Sequence, residues 1–141
     1  MSLAALSAPA FATEVSGWTT SIDTALETAK KEGKNVMVEF TGSDWCPPCI
    51  AMQKNVFSKK EFVEAATKNY VLVKIDMPKG DKEIAEKNQP VVEKYKIEGF
   101  PTVVLLDSEG KEFSRFIASQ FPKVDLFLDK LNKARENKEL D

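Results

Sequence analysis

Residues 35–53 read NVMVEFTGSDWCPPCIAMQ and hold both cysteines of the chain, three positions apart with only prolines between them. "NVMVEF" (35–40) is a short apolar run broken by one acid, the pattern of a buried strand. "CIAMQKNVF" (49–57) reads as a helix. Pro47 and Pro48 suit its first turn, because amides there have no intrahelical acceptor to lose, and the residue before a proline avoids helical backbone. Cys46 is thereby put at the helix cap, and Cys49 lies one turn on, on the same face but deeper. Pro48 also disfavours helical backbone at Pro47, so the regular helix is expected to begin one residue late.

Two cysteines cannot close a four-ligand zinc site, and the chain has no histidine to supply the rest, so no metal is expected. A bridge across so short a loop restricts the unfolded chain little and makes a poor staple. The pair makes sense as chemistry. A thiol at a helix N-terminus faces unpaired amides and the positive end of the dipole, which favours the thiolate. Cys46 is then the attacking sulfur and Cys49 the resolving one: a mixed disulfide forms with a partner, and Cys49 displaces the partner while closing the internal bond. Pro47 and Pro48 remove two amides from the cap and leave those of Cys49 and Ile50, which predicts a moderate depression of the Cys46 pKa. Trp45, just before the first cysteine, reads either as core packing or as an apolar rim beside the sulfur.

Working outward, Trp18, Ile22, Ala25, Leu26 and Ala29 fall at helical spacing, with Thr20 or Ser21 as cap and Gly33 as stop. A second helix after residue 57 is expected over "SKKEFVEAATKN" (58–69), capped by Ser58 with Glu61 three residues on. "YVLVKID" (70–76) is a strand and "PKGD" (78–81) a turn. "KEIAEKNQPVVEKYKI" (82–97) is a polar helix that Pro90 is expected to break or kink. "PTVVLLD" and "KEFSRFI" flank "SEG", a hairpin over 101–117. From Pro122 onward Val124, Phe127, Leu128, Leu131 and Ala134 share one helical face. Strands alternating with helices and closed by a hairpin predict an α/β fold: a mixed central sheet with helices on both faces.

With 141 residues, 43% of them hydrophobic, the chain fits one ordinary domain, taken as residues 13–141. Twenty basic against 22 acidic residues leave no surplus for phosphate contacts, so no nucleic-acid partner is expected. No apolar run approaches the roughly 20 residues of a membrane span. Residues 1–12 are small and apolar, and Ala10-Phe11-Ala12 fits the pattern before a signal-peptidase cut. They read as the remnant of an export signal, with an Ala/Ser-rich arm as the alternative. Export implies a periplasmic or otherwise oxidising compartment, where a donor must keep a dithiol reduced; the cytoplasm is the alternative.

"NVMVEFTGSDWCPPC", "YVLVKID" and "YKIEGFPTVVLLDSEGKEF" together resemble the thioredoxin superfamily over nearly all of residues 15–135. "FTGSDWC" is most similar to its exported bacterial branch. The resemblance implies a thioredoxin fold, no cofactor, and a cis peptide at Phe100–Pro101 opposite the cysteines; the residues alone allow a trans proline opening a strand. It also implies that Phe100 offers main-chain contacts to an extended substrate and that Pro101 walls the sulfurs off. Glu39 matches the family's buried acid beneath the resolving cysteine, placed to take its proton; the alternative is a partly solvated acid paired with Lys74. Asp44 reads as a solvated loop acid that raises the nearby thiol. The sequence departs from ordinary thioredoxin by one extra residue between "EF" and "WC", by extra polar residues around "KGDKEIAEKNQP", and by Pro-Pro between the cysteines.

The function these features predict is a thiol-disulfide oxidoreductase acting on cysteine-containing proteins, as a reductant recharged by a membrane-bound or soluble thiol donor. The reductant direction rests on the lack of a histidine that would stabilise the reduced thiolate. Two alternatives use the same scaffold: a thiol peroxidase with Cys46 as the oxidised sulfur, and a redox-inactive adaptor that holds extended chains on Trp45, Phe100 and Pro101.

Overall fold

A computed structural model describes residues 17–140; the reading of residues 1–12 as a signal remnant or arm lies outside the described residues. In chain order the elements are β1 (Trp18–Thr19), α1 (Ile22–Glu32), β2 (Asn35–Thr41), α2 (Pro47–Met52), α3 (Lys60–Ala66), β3 (Tyr70–Asp76), α4 (Lys82–Lys94), β4 (Thr102–Leu106), β5 (Glu112–Ile117) and α5 (Val124–Leu140). The five strands form one sheet in the order β1-β3-β2-β4-β5. β1, β3 and β2 run parallel, while β4 is antiparallel to β2 and β5 to β4. The mixed sheet read from the sequence is the one observed.

β2 is central, and from Val36 to Thr41 every residue is buried. Alternation along the strand sorts its side chains to two layers. Val36, Val38 and Phe40 pack with Ala25 and Ala29 of α1 and Val92 of α4, while Met37 faces Met52 of α2, Phe62 of α3 and Phe127 and Leu131 of α5. The second layer is aromatic: Phe57, Phe62 and Phe127 meet edge to face with centroids 5.2–5.6 Å apart. The Tyr70 hydroxyl, whose pKa burial pushes up, donates to the Leu131 carbonyl at 2.9 Å and ties β3 to α5.

Four local expectations need correction. Trp18 is not on the first helix; it pairs with Leu72 in β1, stacks edge-on against Phe57 and donates its indole N–H to the Phe57 carbonyl at 3.3 Å. The helix starts after Ser21, whose extended backbone and Oγ, accepting from the Thr24 amide, cap it. Ser58 does not cap α3. The chain leaving α2 widens into a π-helical turn over Gln53–Phe57, and the Ser58 amide closes that turn on Gln53 O at 3.0 Å. Ser58 thus takes helical backbone where a cap needs extended, and Lys59 stands at the cap position instead. α2 starts at Pro47 itself, not one residue later. Lastly, Pro90 does not break α4, which runs through it. Glu86, whose carbonyl loses its usual donor, and Pro90 both lie on the exposed side, where water can serve that oxygen.

Candidate active site

β2 ends at Thr41, and the turn that follows delivers Cys46 to the N-cap of α2 with extended backbone, φ −107° and ψ 105°. Pro47 and Pro48 occupy the first two helical positions and are exposed. Cys46 and Cys49 are joined by a disulfide, their Cα atoms 5.2 Å apart. The Ile50 amide donates to the Cys46 carbonyl at 2.9 Å. It is therefore not free to face the Cys46 sulfur, and of the two amides expected there only that of Cys49 is left.

The sulfurs sit in different surroundings. Cys46 Sγ lies 3.8 Å from the Phe100 carbonyl oxygen. The Phe100–Pro101 peptide is cis, as the family resemblance implied, and the Pro101 carbonyl accepts from the Ala118 amide at 2.9 Å, which pins this wall to the end of β5. Cys49 is deeper, and the Gly42 amide points at its Sγ at 3.4 Å. A depression of about 220 Å³ beside Cys49 is lined by Thr41, Gln53, Lys54 and Lys74.

Glu39 lies on the same face of β2 as Met37 and Thr41, the face covered by α2, and is 1% exposed. Neither carboxylate oxygen has a hydrogen-bond partner of good geometry among the described residues, although the Thr41 side chain pulls the group weakly toward ionisation. Burial pushes its pKa up to about 7, against the pull of Lys74, its register neighbour on β3, and with help from the Asp76 charge. The alternative of a partly solvated, lysine-paired acid does not hold: Glu39 is buried, and no ion pair with Lys74 forms.

Trp45 is a rim residue, 36% exposed, standing edge to face with Phe100 at 5.7 Å. Its indole donates to the Met77 carbonyl at 2.7 Å. Sequence reasoning missed how firmly the whole turn is held. Ser43 bonds the Asp76 carboxylate through both its amide, at 3.0 Å, and its hydroxyl. Asp44 accepts from the amides of Lys79 at 2.9 Å and Gly80 at 2.7 Å, which hold its pKa below the usual carboxylate range. Asp44 is thus the solvated loop acid expected and, beyond that, a latch between two loops. Gly42 has a steric reason too, since a Cβ there would collide with the Trp45 indole. The extra residue before "WC" was the signal that this turn had its own anchoring, but its hydrogen-bond partners lie more than 30 residues away in sequence.

Ile50, one residue past Cys49, and Ile117, paired with Thr102 beside Pro101, are large exposed apolar side chains that sequence reasoning also passed over. No helix among the described residues is long and apolar enough to cross a membrane.

A central mixed sheet, a Cys-x-x-Cys pair opening a helix and a cis-proline facing it define the class, and the chain belongs to the thioredoxin-like family, whose model matches residues 17–108. It is 39% identical over 94 residues to the disulfide bond reductase DsbH of Chlamydia pneumoniae, over 64% of this chain and 57% of that protein. It is 30% identical over 106 residues to the thiol:disulfide interchange protein DsbD of Colwellia psychrerythraea, over 75% of this chain and 17% of that one. The chain thus spans little more than half the length of the first relative and under a fifth of the second. A solved structure titled DsbH oxidoreductase superposes with a TM-score of 0.73 at 31% identity, covering 94% of both chains.

Proposed function

We propose that residues 13–141 form one thioredoxin-like domain that reduces disulfides of other proteins through Cys46 and Cys49, outside the cytoplasm, and is recharged by a separate dithiol donor. The observation that carries this reading is the asymmetry of the pair: Cys46 at a helix cap against the Phe100 carbonyl, Cys49 behind it under the Gly42 amide.

In the reduced protein, the Cys46 thiolate attacks one sulfur of a partner disulfide, and the partner's other sulfur leaves as a thiolate that takes a proton from water. The partner is then bonded to Cys46. Cys49 loses its proton to the Glu39 carboxylate and attacks Cys46 Sγ, expelling the partner's second thiolate and forming the Cys46–Cys49 bond. Two electrons have passed to the partner, whose first thiolate is protonated by water and whose second takes the Cys49 proton on from Glu39, and the donor must return the two electrons. Glu39 suits the proton step because its pKa of about 7 lets it both accept and release a proton near neutrality. Trp45, Phe100 and Pro101 form the walls along which an extended partner segment lies, with Ile50 and Ile117 widening the apolar rim. Pro47 and Pro48 thin the donors at the cap and so temper the thiolate. The reductase direction is supported by the lack of histidine and by the name of the relative DsbH.

Replacing Cys49 with alanine tests the scheme, because it leaves the first attack intact and removes the second. The variant is expected to accumulate mixed disulfides through Cys46 with oxidised partner proteins, seen as dithiothreitol-sensitive adducts on non-reducing gels. A Cys49→Ala protein that stays unadducted while its Cys46 thiol remains free would contradict the assignment.

A further inference from the structure

The charges around the rim are unevenly spent. Asp44 is committed to the Lys79 and Gly80 amides, Asp76 to Ser43, and Asp81 to the Ile84 amide at 3.2 Å as the cap of α4. Glu98, on the loop before Phe100, acts on Arg115, which is itself paired with Glu112. The cation in this cluster makes no direct ion pair, although the Asp44 charge is near enough to act on it. Lys79 makes no ion pair among the described residues, and its ammonium lies 4.8 Å from the centroid of the Trp45 ring. Its backbone is fixed because its own amide is one of the two that bind Asp44, and the indole it covers is fixed by Met77 O. The same indole faces Phe100, whose carbonyl touches Cys46 Sγ. A positive charge therefore stands on the rim, linked to the reacting sulfur through the Trp45 and Phe100 rings, while the neighbouring carboxylates are turned to backbone amides and a hydroxyl.

We propose that Lys79 is a specificity-determining residue of the disulfide exchange, favouring partner cysteines flanked by an acidic side chain. The inference rests on the oxidoreductase reading and names its substrate class. A carboxylate beside the partner cysteine would meet the ammonium at the edge of Trp45, adding attraction in the encounter and in the mixed disulfide. A lysine there would meet like charge. Charge pairing of this exposed kind acts mainly on association and is screened by salt. Asp44 is the positioning residue, because it sets where the Lys79 backbone sits.

The test uses the whole chain, reduced beforehand and freed of reductant, in single-turnover reaction with three disulfide-linked peptides that carry Glu, Gln or Lys on either side of cysteine. At low ionic strength the Glu peptide is expected to react about tenfold faster than the Lys peptide, with the ratio falling toward one in molar salt. Lys79→Glu is expected to invert that order while the Gln peptide reacts within about twofold of the parent rate. Lys31→Glu makes the same change of net charge in the last turn of α1, at the other end of the sheet from the cysteines, and is expected to leave the order standing. Equal shifts in the two variants, or a ratio of one in the parent protein with all peptides reacting briskly, would overturn the Lys79 assignment and leave the oxidoreductase reading intact. Failure of the reduced protein to react with any of the three peptides would overturn both.

Discussion

Cys46→Ser is expected to lower the rate of protein disulfide reduction by about a thousandfold or more while the fold is kept. Serine is nearly isosteric, and the N-cap is a position serine favours, so α2 loses nothing by the exchange. The chemistry does not survive it. A hydroxyl at this site remains protonated at any pH the protein withstands, and the attacking species in disulfide exchange is the anion. The proper comparison is Cys49→Ser, which keeps the first attack and loses the second. Single-turnover kinetics should then show a normal burst of mixed disulfide for Cys49→Ser and no burst for Cys46→Ser. Equal bursts, or one from Cys46→Ser alone, would reverse the assigned order.

Glu39 should show the largest effect on stability, and its sign is opposite to that of most buried substitutions. Its carboxyl has a pKa of about 7 in the folded chain against the ordinary 4.5. The folded state therefore holds the proton to higher pH than the unfolded chain does, and stability falls as pH rises through that window. Below pH 4.5 both states are protonated and nothing is lost. Above pH 7 the native core holds a carboxylate with no hydrogen-bond partner, a cost of about 3 kcal/mol from the size of the shift. Glu39→Gln removes the ionisation and keeps the shape. It is expected to unfold at higher urea concentration than the parent at pH 8, by about 2–3 kcal/mol, and to match it at pH 4. In the same variant the closing of the mixed disulfide by Cys49 should slow by about a hundredfold, with the first attack unchanged. A parent protein whose stability is flat from pH 4 to 8 would remove the basis of both expectations.

The sheet, its two helical layers and the place of the cysteine pair could be read from residues 35–53 and the hairpin, because each rests on a pattern within a few residues: an apolar run, prolines tolerated only in a first turn, a Ser-Glu-Gly turn. What escaped depends on partners distant in the chain. Trp18 fits a helical stripe as well as a strand, and only Leu72 across the sheet decides between them. The signature Ser58-x-x-Glu61 is that of a capping box, yet the π-helical turn before it had already taken the Ser58 amide. Asp44 looks like any loop acid until the 79–80 amides arrive from the far side of β3. At the site, Cys46 and Cys49 were legible by type and spacing, and Glu39 through the family resemblance. The loss of the Ile50 amide to the Cys46 carbonyl was not, since it follows from helix geometry that Pro48 was expected to delay.

β2 borders β3 on one side and β4 on the other, and β4 comes late in the chain. During synthesis both sulfurs therefore emerge well ahead of Phe100 and Pro101, and for a few seconds, at about 5–20 residues per second, the growing chain carries them with no wall beside them. A newborn molecule thus carries both thiols without the cis-proline wall that flanks them in the finished one. Pulse alkylation of ribosome-bound chains halted before and after residue 101 has left the ribosome should record that passage as a drop in thiol labelling.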